Sequence, residues 1–491
     1  NMTKPGEKLI LSYSDTNAKG EGISPAYLIG SIRSLYPKLE IEGGAGVRPH
    51  KNSINNYCYP ENPEAGIDLF LEKLVQETEK EHEDILEQAD ETDAMFGELY
   101  SWYLRNPEYR SRVQKLVQSA FAGKPKDIIS QSVAKALYGE VSPYSATRLE
   151  RFAACAFAHF LQYGMKLTER VEYEFKPMDM GNVMHEALES FAEEVRKRGM
   201  KWTELTEQER NEIADRCLDN IVADYGNTVL KSSARNEYMI ERTRRILRRT
   251  VWALQKQLEQ GEFQPEGFEV TFGGGRIDRV DIMEDQNKVY VKVIDYKTGN
   301  TSFDLVYLYH GLQLQLMIYL DGALRVEQKK YPDKEIIPAG VFYYNIKDPM
   351  IQEKIDADVE AVSAGLMKEL KMNGLVQADP ELVYRMDSSL GSIPVAFNKD
   401  GSFRKNSSVA DRTQFAVLGR YVRTKIEKIR SSILEGDAEV SPYELGKKNA
   451  CTYCPYMTVC GFDRRLSGYE FRRLKNFSDE ELWKAFDREA E

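Results

Sequence analysis

The spacing of apolar residues changes twice along the chain. From about residue 65 to about residue 260, apolar residues recur every three to four positions, which is the period of amphipathic helices. After Gly261 the period falls to two in FEVTFGGGRIDRVDI and KVYVKVIDYKTG, which indicates strands joined by a hairpin turn at EDQN. A helical pattern returns in GLQLQLMIYLDGAL, and AGVFYYNI indicates a buried strand. This order predicts an α/β fold class with a mixed sheet flanked by helices.

The same pattern divides the chain into three predicted domains. Residues 1–50 begin with a strand-like LILSYS and continue into a helix, residues 51–141 form a helical domain without evident chemistry, and residues 142–491 contain the sheet. In the third domain, SPYSATRLERFAACAFAHFLQYG predicts a helix capped by Ser145, with Cys155 in its middle. The chain opens on Asn1 and close to a strand, which suggests a fragment of a longer protein.

Composition is that of a soluble globular protein, with 42% hydrophobic and 30% charged residues. The chain contains neither an apolar run long enough to span a membrane nor the pattern of a secretory signal, so we expect a cytoplasmic protein. The net charge of −11 is not the basic balance of a typical nucleic-acid binder. Basic residues are concentrated in two segments: Arg235, Arg242, Arg244, Arg245, Arg248 and Arg249, and then Arg464, Arg465, Arg472, Arg473 and Lys475. Each segment is as consistent with a solvated helix face as with a nucleic-acid-binding surface.

Candidate chemistry lies in the period-two region. Asp295 and Lys297 are two residues apart on a predicted strand and therefore share one face, and a hairpin can bring Asp278 beside Asp295. Two carboxylates that converge away from water repel each other unless a divalent cation neutralises them. Mg²⁺ on Asp278 and Asp295, with water placed by Lys297, would suit phosphodiester hydrolysis. An exposed surface ion pair has the same spacing, so spacing alone does not decide between the two.

The surrounding residues resemble the RecB-like branch of the PD-(D/E)XK nuclease superfamily. Its G-x-I-D strand and D-Y-K strand are matched by Gly275 to Asp278 and by Asp295 to Lys297, and its G-x-x-x-H helix is matched by Gly181 to His185. Its Q-x-x-x-Y helix is matched by Gln315 and Tyr319. The resemblance implies that His185, Asp278, Asp295 and the Tyr296 carbonyl hold the metal, that Lys297 is catalytic, and that Gln315 and Tyr319 position the scissile strand. Glu269 and Asp281 are interpreted as surface or supporting residues.

The cysteines suggest a second metal site. Cys451, Cys454 and Cys460 have C-x2-C-x5-C spacing, and a cytosolic chain would not use them in disulfides. On spacing alone, zinc and an iron–sulfur cluster are equally compatible, and a cluster needs a fourth ligand. A lone upstream cysteine followed by this tail resembles AddB-type helicase–nuclease subunits, which implies a [4Fe–4S] cluster on Cys155, Cys451, Cys454 and Cys460. Cys58 and Cys217 are interpreted as ordinary thiols.

The resemblance to AddB-type subunits covers most of the chain. It implies that residues 1–50 are a fragment of a helicase-like domain and that residues 142–491 are a RecB-like nuclease domain closed by the cluster. It also implies a Mg²⁺-dependent DNA exonuclease, paired with an AddA-type subunit, that resects double-strand breaks and cuts the 5′-ended strand. No G-x-x-x-x-G-K-[ST] phosphate loop occurs in the sequence, so we expect no ATPase in this chain.

Two other functions are compatible with the sequence. A stand-alone RecB-like nuclease with an iron–sulfur cluster shares the motifs, although such proteins are usually shorter. A catalytically silent DNA-binding scaffold is the other alternative, and the presence of Asp278, Asp295 and Lys297 argues against it.

Overall fold

The computed structural model describes most of the chain, but not all of it. Positions 11, 13 and 24 are described singly, and the predicted opening strand, LILSYS, and Cys58 lie largely or wholly outside the described residues. The described ranges are 26–39, 62–79, 91–120, 128–139, 141–143, 145–169, 177–224, 233–273, 275–351, 358–466 and 468–490. The chain divides into two compact units, Asn1–Phe121 and Ala122–Glu491.

The described part of the first unit is helical. Its core is formed by Ile67, Phe70, Leu74, Tyr103 and Val113, and the Tyr103 hydroxyl donates to the Pro63 carbonyl at 2.6 Å. Since the apolar residues recur at helical spacing, these helices bury one face and expose the other. The helices are α1 (Tyr27–Leu35), α2 (Pro63–Glu79), α3 (Glu91–Arg105) and α4 (Pro107–Ala120).

The second unit begins with helices that precede the sheet. The predicted continuous helix around Cys155 is wrong, because Cys155 is extended (φ −166°, ψ 117°) and separates two helices. The Ser145 side chain makes no capping hydrogen bond. A π-helical turn, Phe160–Gly164, and a 3₁₀ turn, Trp202–Glu204, also occur here. The helices are α5 (Gln131–Tyr138), α6 (Ala146–Ala154), α7 (Ala156–His159), α8 (Pro177–Lys197), α9 (Glu207–Asp224) and α10 (Ala234–Glu259).

The predicted mixed sheet is confirmed. It has six strands, which lie in sequence order. The pairs β1–β2, β2–β3 and β4–β5 are antiparallel, whereas the pairs β3–β4 and β5–β6 are parallel. The strands are β1 (Gln264–Phe272), β2 (Gly275–Asp285), β3 (Lys288–Lys297), β4 (Glu335–Asn345), β5 (Asn373–Gln377) and β6 (Val409–Ala410).

The remaining elements cover the sheet and end the chain. α11 and α12 form the crossover between β3 and β4, as a parallel pair requires. A short second sheet, in the order β8-β7-β9, lies near the C-terminus. The elements are α11 (Leu305–Tyr309), α12 (Gln315–Lys330), α13 (Val359–Glu369), α14 (Pro380–Met386), α15 (Arg412–Glu435), β7 (Tyr443–Leu445), β8 (Lys448–Asn449), α16 (Met457–Cys460), β9 (Arg472–Arg473) and α17 (Asp479–Ala490).

Apolar side chains from both faces of the sheet are buried against helices. Along β3, Val291 and Val293 belong to the core shared with α6, α12 and α15, whereas Tyr290 and Ile294 belong to the core shared with α8, α9 and α10. α12 lies close to β1 at Gly322, where a Cβ would meet Phe272 Cδ2 at 2.3 Å. No helix among the described residues is both long and apolar enough to cross a membrane.

A buried charge cluster supports the sheet on the α8–α10 side. Asp281 is fully buried and contacts Arg279 Nε at 2.6 Å and Lys292 Nζ at 3.0 Å. The Arg279 guanidinium lies 5.7 Å from the ring centroids of both Trp202 and Phe268. Asp281 is therefore a partner in the core, not a surface carboxylate.

Candidate active site

Three carboxylates lie side by side on three adjacent strands. Phe268 pairs with Arg279 and Val270 with Ile277, which puts Glu269 opposite Asp278. On the next pair of strands, Arg279 is opposite Ile294, and one further step along the register puts Asp278 opposite Asp295. Neighbouring strands are about 5 Å apart, so these carboxylates are crowded at one edge of the hairpin.

His185 reaches this edge from α8. Its Nδ1 lies 3.4 Å from Asp278 Oδ2 and 3.8 Å from Glu269 Oε1, and its Nε2 lies 3.1 Å from the Tyr296 carbonyl oxygen. Asp278 also binds the backbone of β3, since the Tyr296 amide donates a hydrogen bond to Asp278 Oδ2 at 2.7 Å. One imidazole, two carboxylates and one backbone carbonyl thus meet at the end of β2 and β3.

The pKa values of two of these groups, Asp295 and His185, are raised above their ordinary values. Burial raises the pKa of the Asp295 carboxyl to about 7, and repulsion by Asp278 adds to this effect, although Lys297 acts in the opposite direction. Burial also disfavours a charged His185, but its hydrogen bonds to Asp278 and Glu269 outweigh burial and raise its pKa to about 10. The neighbouring carboxylates therefore account for the raised pKa of His185 and contribute to that of Asp295, and a divalent cation would neutralise their charge.

Lys297 is fixed by a chain of polar contacts. Its Nζ lies 2.6 Å from Asp295 Oδ2 and donates to Gln315 Oε1 at 2.8 Å. Gln315 Nε2 in turn donates to the Tyr319 hydroxyl at 2.8 Å. The ammonium also lies 5.4 Å from the centre of the Tyr343 ring. The residues of the D-Y-K strand and the Q-x-x-x-Y helix therefore form one connected network.

The donor atoms fit a hard divalent cation. His185, Glu269 and Asp278 each offer a ligand atom, and these atoms lie within 4.8 Å of one another. Carboxylate and carbonyl oxygens with one imidazole suit Mg²⁺ or Mn²⁺. The predicted ligands His185 and Asp278 thus come together, with the Tyr296 carbonyl beside His185, whereas Asp295 lies at the same edge paired with Lys297.

Glu269 was missed by sequence reasoning as a member of this group. Its side chain is only 7% exposed, and its backbone is left-handed, with φ 49°, next to a register shift between Pro265 and Gly267. Such a φ is strained for a residue with a Cβ, and it occurs at the residue whose carboxylate lies 3.8 Å from His185 Nδ1. The signal was present in the sequence: a hairpin closed at FGGG places Glu269 opposite Asp278.

Two of the four predicted cluster cysteines share one small core, in which Cys454 packs against the group that contains Cys155. Cys155 is buried, and Cys451, Cys454 and Cys460 are half-buried. Burial raises the pKa of the Cys451 thiol to about 11, and the charges of Cys155, Cys454 and Cys460 add to this. Among the described residues, no three cysteine sulfurs lie within 4.8 Å of one another.

Cys217 belongs to a different environment. It lies on α9 in the helical core beside α8 and α10, and burial raises its pKa to about 11. Among the described residues, no other cysteine contributes to the raised pKa of Cys217.

Comparison with known proteins agrees with the geometry. The AddB-type ATP-dependent helicase/deoxyribonuclease subunit of Lachnoclostridium phytofermentans is 39% identical over an alignment that covers all of this chain and 43% of the relative. Proteins of the same name from Alkaliphilus metalliredigens and Thermoanaerobacter sp. are 32% and 30% identical over all of this chain and 44% of their own lengths. The chain thus spans less than half the length of these relatives.

The family model covers the part of the chain that contains both the candidate active site and the four predicted cluster cysteines. A model of the PD-(D/E)XK nuclease superfamily matches residues 143–461, which include α8, the six-stranded sheet, α12 and all four predicted cluster cysteines. Together with the carboxylates on adjacent strands and the neighbouring lysine, this match shows that the chain belongs to the PD-(D/E)XK nuclease superfamily.

Proposed function

We propose that this chain is a Mg²⁺-dependent deoxyribonuclease that acts as an exonuclease within a helicase–nuclease complex. The observation that carries the proposal is the position of Lys297, whose ammonium is held between Asp295 and Gln315 beside the donors His185, Glu269 and Asp278. A fixed ammonium next to a cation site can place a water and stabilise the charge that develops on a phosphodiester during hydrolysis.

The proposed roles are divided among residues of α8, of the first three strands and of α12. Five groups are proposed to hold the cation: His185, Glu269, Asp278, Asp295 and the Tyr296 carbonyl. When bound, Mg²⁺ supplies positive charge at the phosphate and lowers the pKa of a bound water. Lys297 places that water and stabilises negative charge on the phosphate, while Asp295 keeps the ammonium charged and oriented. Gln315 and Tyr319 fix Lys297 and contact the scissile strand.

The proposed substrate is a single DNA strand released by unwinding. The relatives are named as helicase/deoxyribonuclease subunits, and an AddA-type partner is proposed to supply ATP-driven unwinding. In this complex the chain would resect double-strand breaks in the cytoplasm for recombinational repair by cutting the 5′-ended strand. A chain without a phosphate loop fits this division of labour.

A [4Fe–4S] cluster on Cys155, Cys451, Cys454 and Cys460 is part of the proposal. Support comes from the C-x2-C-x5-C spacing of the last three cysteines and from the packing of Cys454 against the small core cluster that contains Cys155. Closing the chain between Cys155 and Cys451 would restrain a loop of 451 − 155 = 296 residues.

The test is cleavage of end-labelled single-stranded DNA by chain purified without oxygen. The wild type is compared with Asp295→Asn, and with Asp321→Asn as a matched control, because Asp321 pairs with Arg325 and Arg423 on the surface of α12. Labels at the 5′ and the 3′ end report the direction of cutting, and the visible spectrum and iron content are recorded on the same samples.

We expect Mg²⁺-dependent cleavage by the wild type and by Asp321→Asn, none by Asp295→Asn, and iron in all three. Binding of DNA without cleavage in any metal would favour the silent scaffold instead. A colourless protein that contains zinc would refute the cluster, and release of nucleotides from the 3′ end alone would refute the proposed polarity.

A further inference from the structure

Helix α12 begins without a cap of its own. Leu314 occupies the N-cap position, and its apolar side chain cannot accept a hydrogen bond from the first turn. The first amides of a helix have no partner inside the helix, so a buried start needs an acceptor from elsewhere. This matters for the site because Gln315, which accepts a hydrogen bond from Lys297, is the first residue of α12.

Glu150 of α6 supplies that acceptor from a distant part of the chain. Its Oε1 accepts hydrogen bonds from the Leu314 amide at 2.7 Å and from the Gln315 amide at 2.9 Å. A carboxylate at this position also interacts favourably with the positive end of the helix dipole. One oxygen of Glu150 thus fixes the backbone of the residue whose side chain holds Lys297.

The other end of α6 is attached to the C-terminal region. At the end of α6 the Ala153 carbonyl accepts a hydrogen bond from Arg472, and in the following helix, α7, the Phe157 amide donates to the Glu439 carbonyl at 3.0 Å. Arg151, the neighbour of Glu150, lies 5.6 Å from the ring centroid of Tyr456, between Cys454 and Cys460. These contacts hold α6 in place, so Glu150 is anchored by its own helix and not only by α12.

We infer that Glu150 is a positioning residue for the nuclease reaction, which acts on Lys297 through the first turn of α12 and Gln315. The inference rests on the proposed function. It assigns a role to a residue whose hydrogen bonds to the site, among the described residues, are to two backbone amides. Without this carboxylate the Gln315 amide oxygen loses its fixed position, and the ammonium is no longer held at the geometry required for reaction.

The experiment compares Glu150→Ala, Glu150→Gln, Gln315→Ala and the double variant Glu150→Ala/Gln315→Ala in the full chain. We expect Glu150→Ala to lower kcat on single-stranded DNA by about 10- to 100-fold, since small displacements of reacting groups have effects of this size. KM and the affinity for Mn²⁺ should stay within about twofold. Glu150→Gln keeps a carbonyl oxygen at the same place and should recover most of the rate.

The double variant separates positioning from a general structural role. If Glu150 acts through Gln315, the double variant is no slower than Gln315→Ala alone, whereas independent effects would multiply and would overturn the inference. Hydrogen exchange of the α12 first turn provides a readout that does not need activity, and Glu150→Ala should accelerate it. If Glu150→Ala does not fold, Glu150→Asp, whose shorter side chain cannot reach both amides, replaces it in the same comparison.

The outcomes also distinguish this inference from the proposed function. A wild type that cuts DNA, together with a Glu150→Ala variant that cuts equally fast, refutes the positioning role and leaves the nuclease intact. A wild type that does not cut DNA with Mg²⁺ or Mn²⁺ refutes the nuclease, and the positioning role with it.

Discussion

Glu269 and Asp278 face each other across β1 and β2 and approach the same nitrogen of His185, with Nδ1 3.8 Å from Glu269 Oε1 and 3.4 Å from Asp278 Oδ2. Glu269 also lies beside Arg276, whose side chain is 65% exposed. An exposed arginine can move away when a cation arrives, whereas a carboxylate that is 7% exposed cannot. A cation at the site would therefore displace Arg276 and take its place beside Glu269.

The first prediction concerns Glu269. Glu269→Gln keeps the shape of the side chain but removes its charge, so we expect the affinity for Mn²⁺ to fall by about tenfold or more. Calorimetric titration of metal into the chain measures this. Arg276→Ala serves as the control and should bind Mn²⁺ at least as tightly as the wild type. Equal affinities of Glu269→Gln and the wild type would remove Glu269 from the site.

The second prediction separates activity from stability at Asp295. Asp295→Asn should abolish cleavage, yet the metal-free protein should unfold at the same temperature or a higher one. The reason is that the substitution removes a charge that burial, and then repulsion by Asp278, disfavour, and both of these raise the pKa of Asp295. Thermal unfolding in chelator, followed by circular dichroism, tests this. A large drop in the unfolding temperature would mean that Asp295 mainly supports the fold.

The third prediction concerns the cysteines. Cys454→Ser should lose iron and lower the free energy of unfolding by several kcal/mol, since a cross-link between Cys155 and the tail restrains a very long loop. Cys217→Ser is the control, because Cys217 lies in the helical core. Iron content and urea unfolding are measured on both variants. A Cys454→Ser protein that keeps its iron and its stability would exclude Cys454 as a ligand.

The fourth prediction concerns the buried charge cluster behind the site. Asp281→Asn leaves Arg279 and Lys292 without their shared counter-charge, and breaking a buried pair in this way costs about 3–5 kcal/mol. Because the cluster lies on the side of the sheet away from Lys297, the remaining folded protein should keep its kcat. Urea unfolding and cleavage per folded molecule provide the two measurements. A change below about 1 kcal/mol would mean that Asp281 is readily replaced.

The sequence predicted the part of the site that depends on local periodicity. Asp278, Asp295 and Lys297 alternate with apolar residues on strands, and the hairpin between β2 and β3 is short, so their common face follows from the period of two. His185 required the family pattern, because no local signal relates a residue of α8 to a strand more than ninety positions later.

Other features depend on contacts that periodicity does not report. The left-handed backbone of Glu269 leaves no trace in the alternation of apolar and polar residues, and the break at Cys155 interrupts a pattern that reads as one helix. The capping of α12 by Glu150 joins residues 164 positions apart. Such relationships are set by tertiary packing, which overrides local preference.

The three carboxylate-bearing strands follow one another directly in the chain, between Gln264 and Lys297. Their edge of the sheet therefore forms from neighbouring segments, and the ribosome completes it more than 150 residues before it reaches Cys451. The two proposed metal centres would thus form at different times. The nuclease edge can assemble while the polypeptide is still being made, but iron insertion must wait until the C-terminal cysteines have left the ribosome.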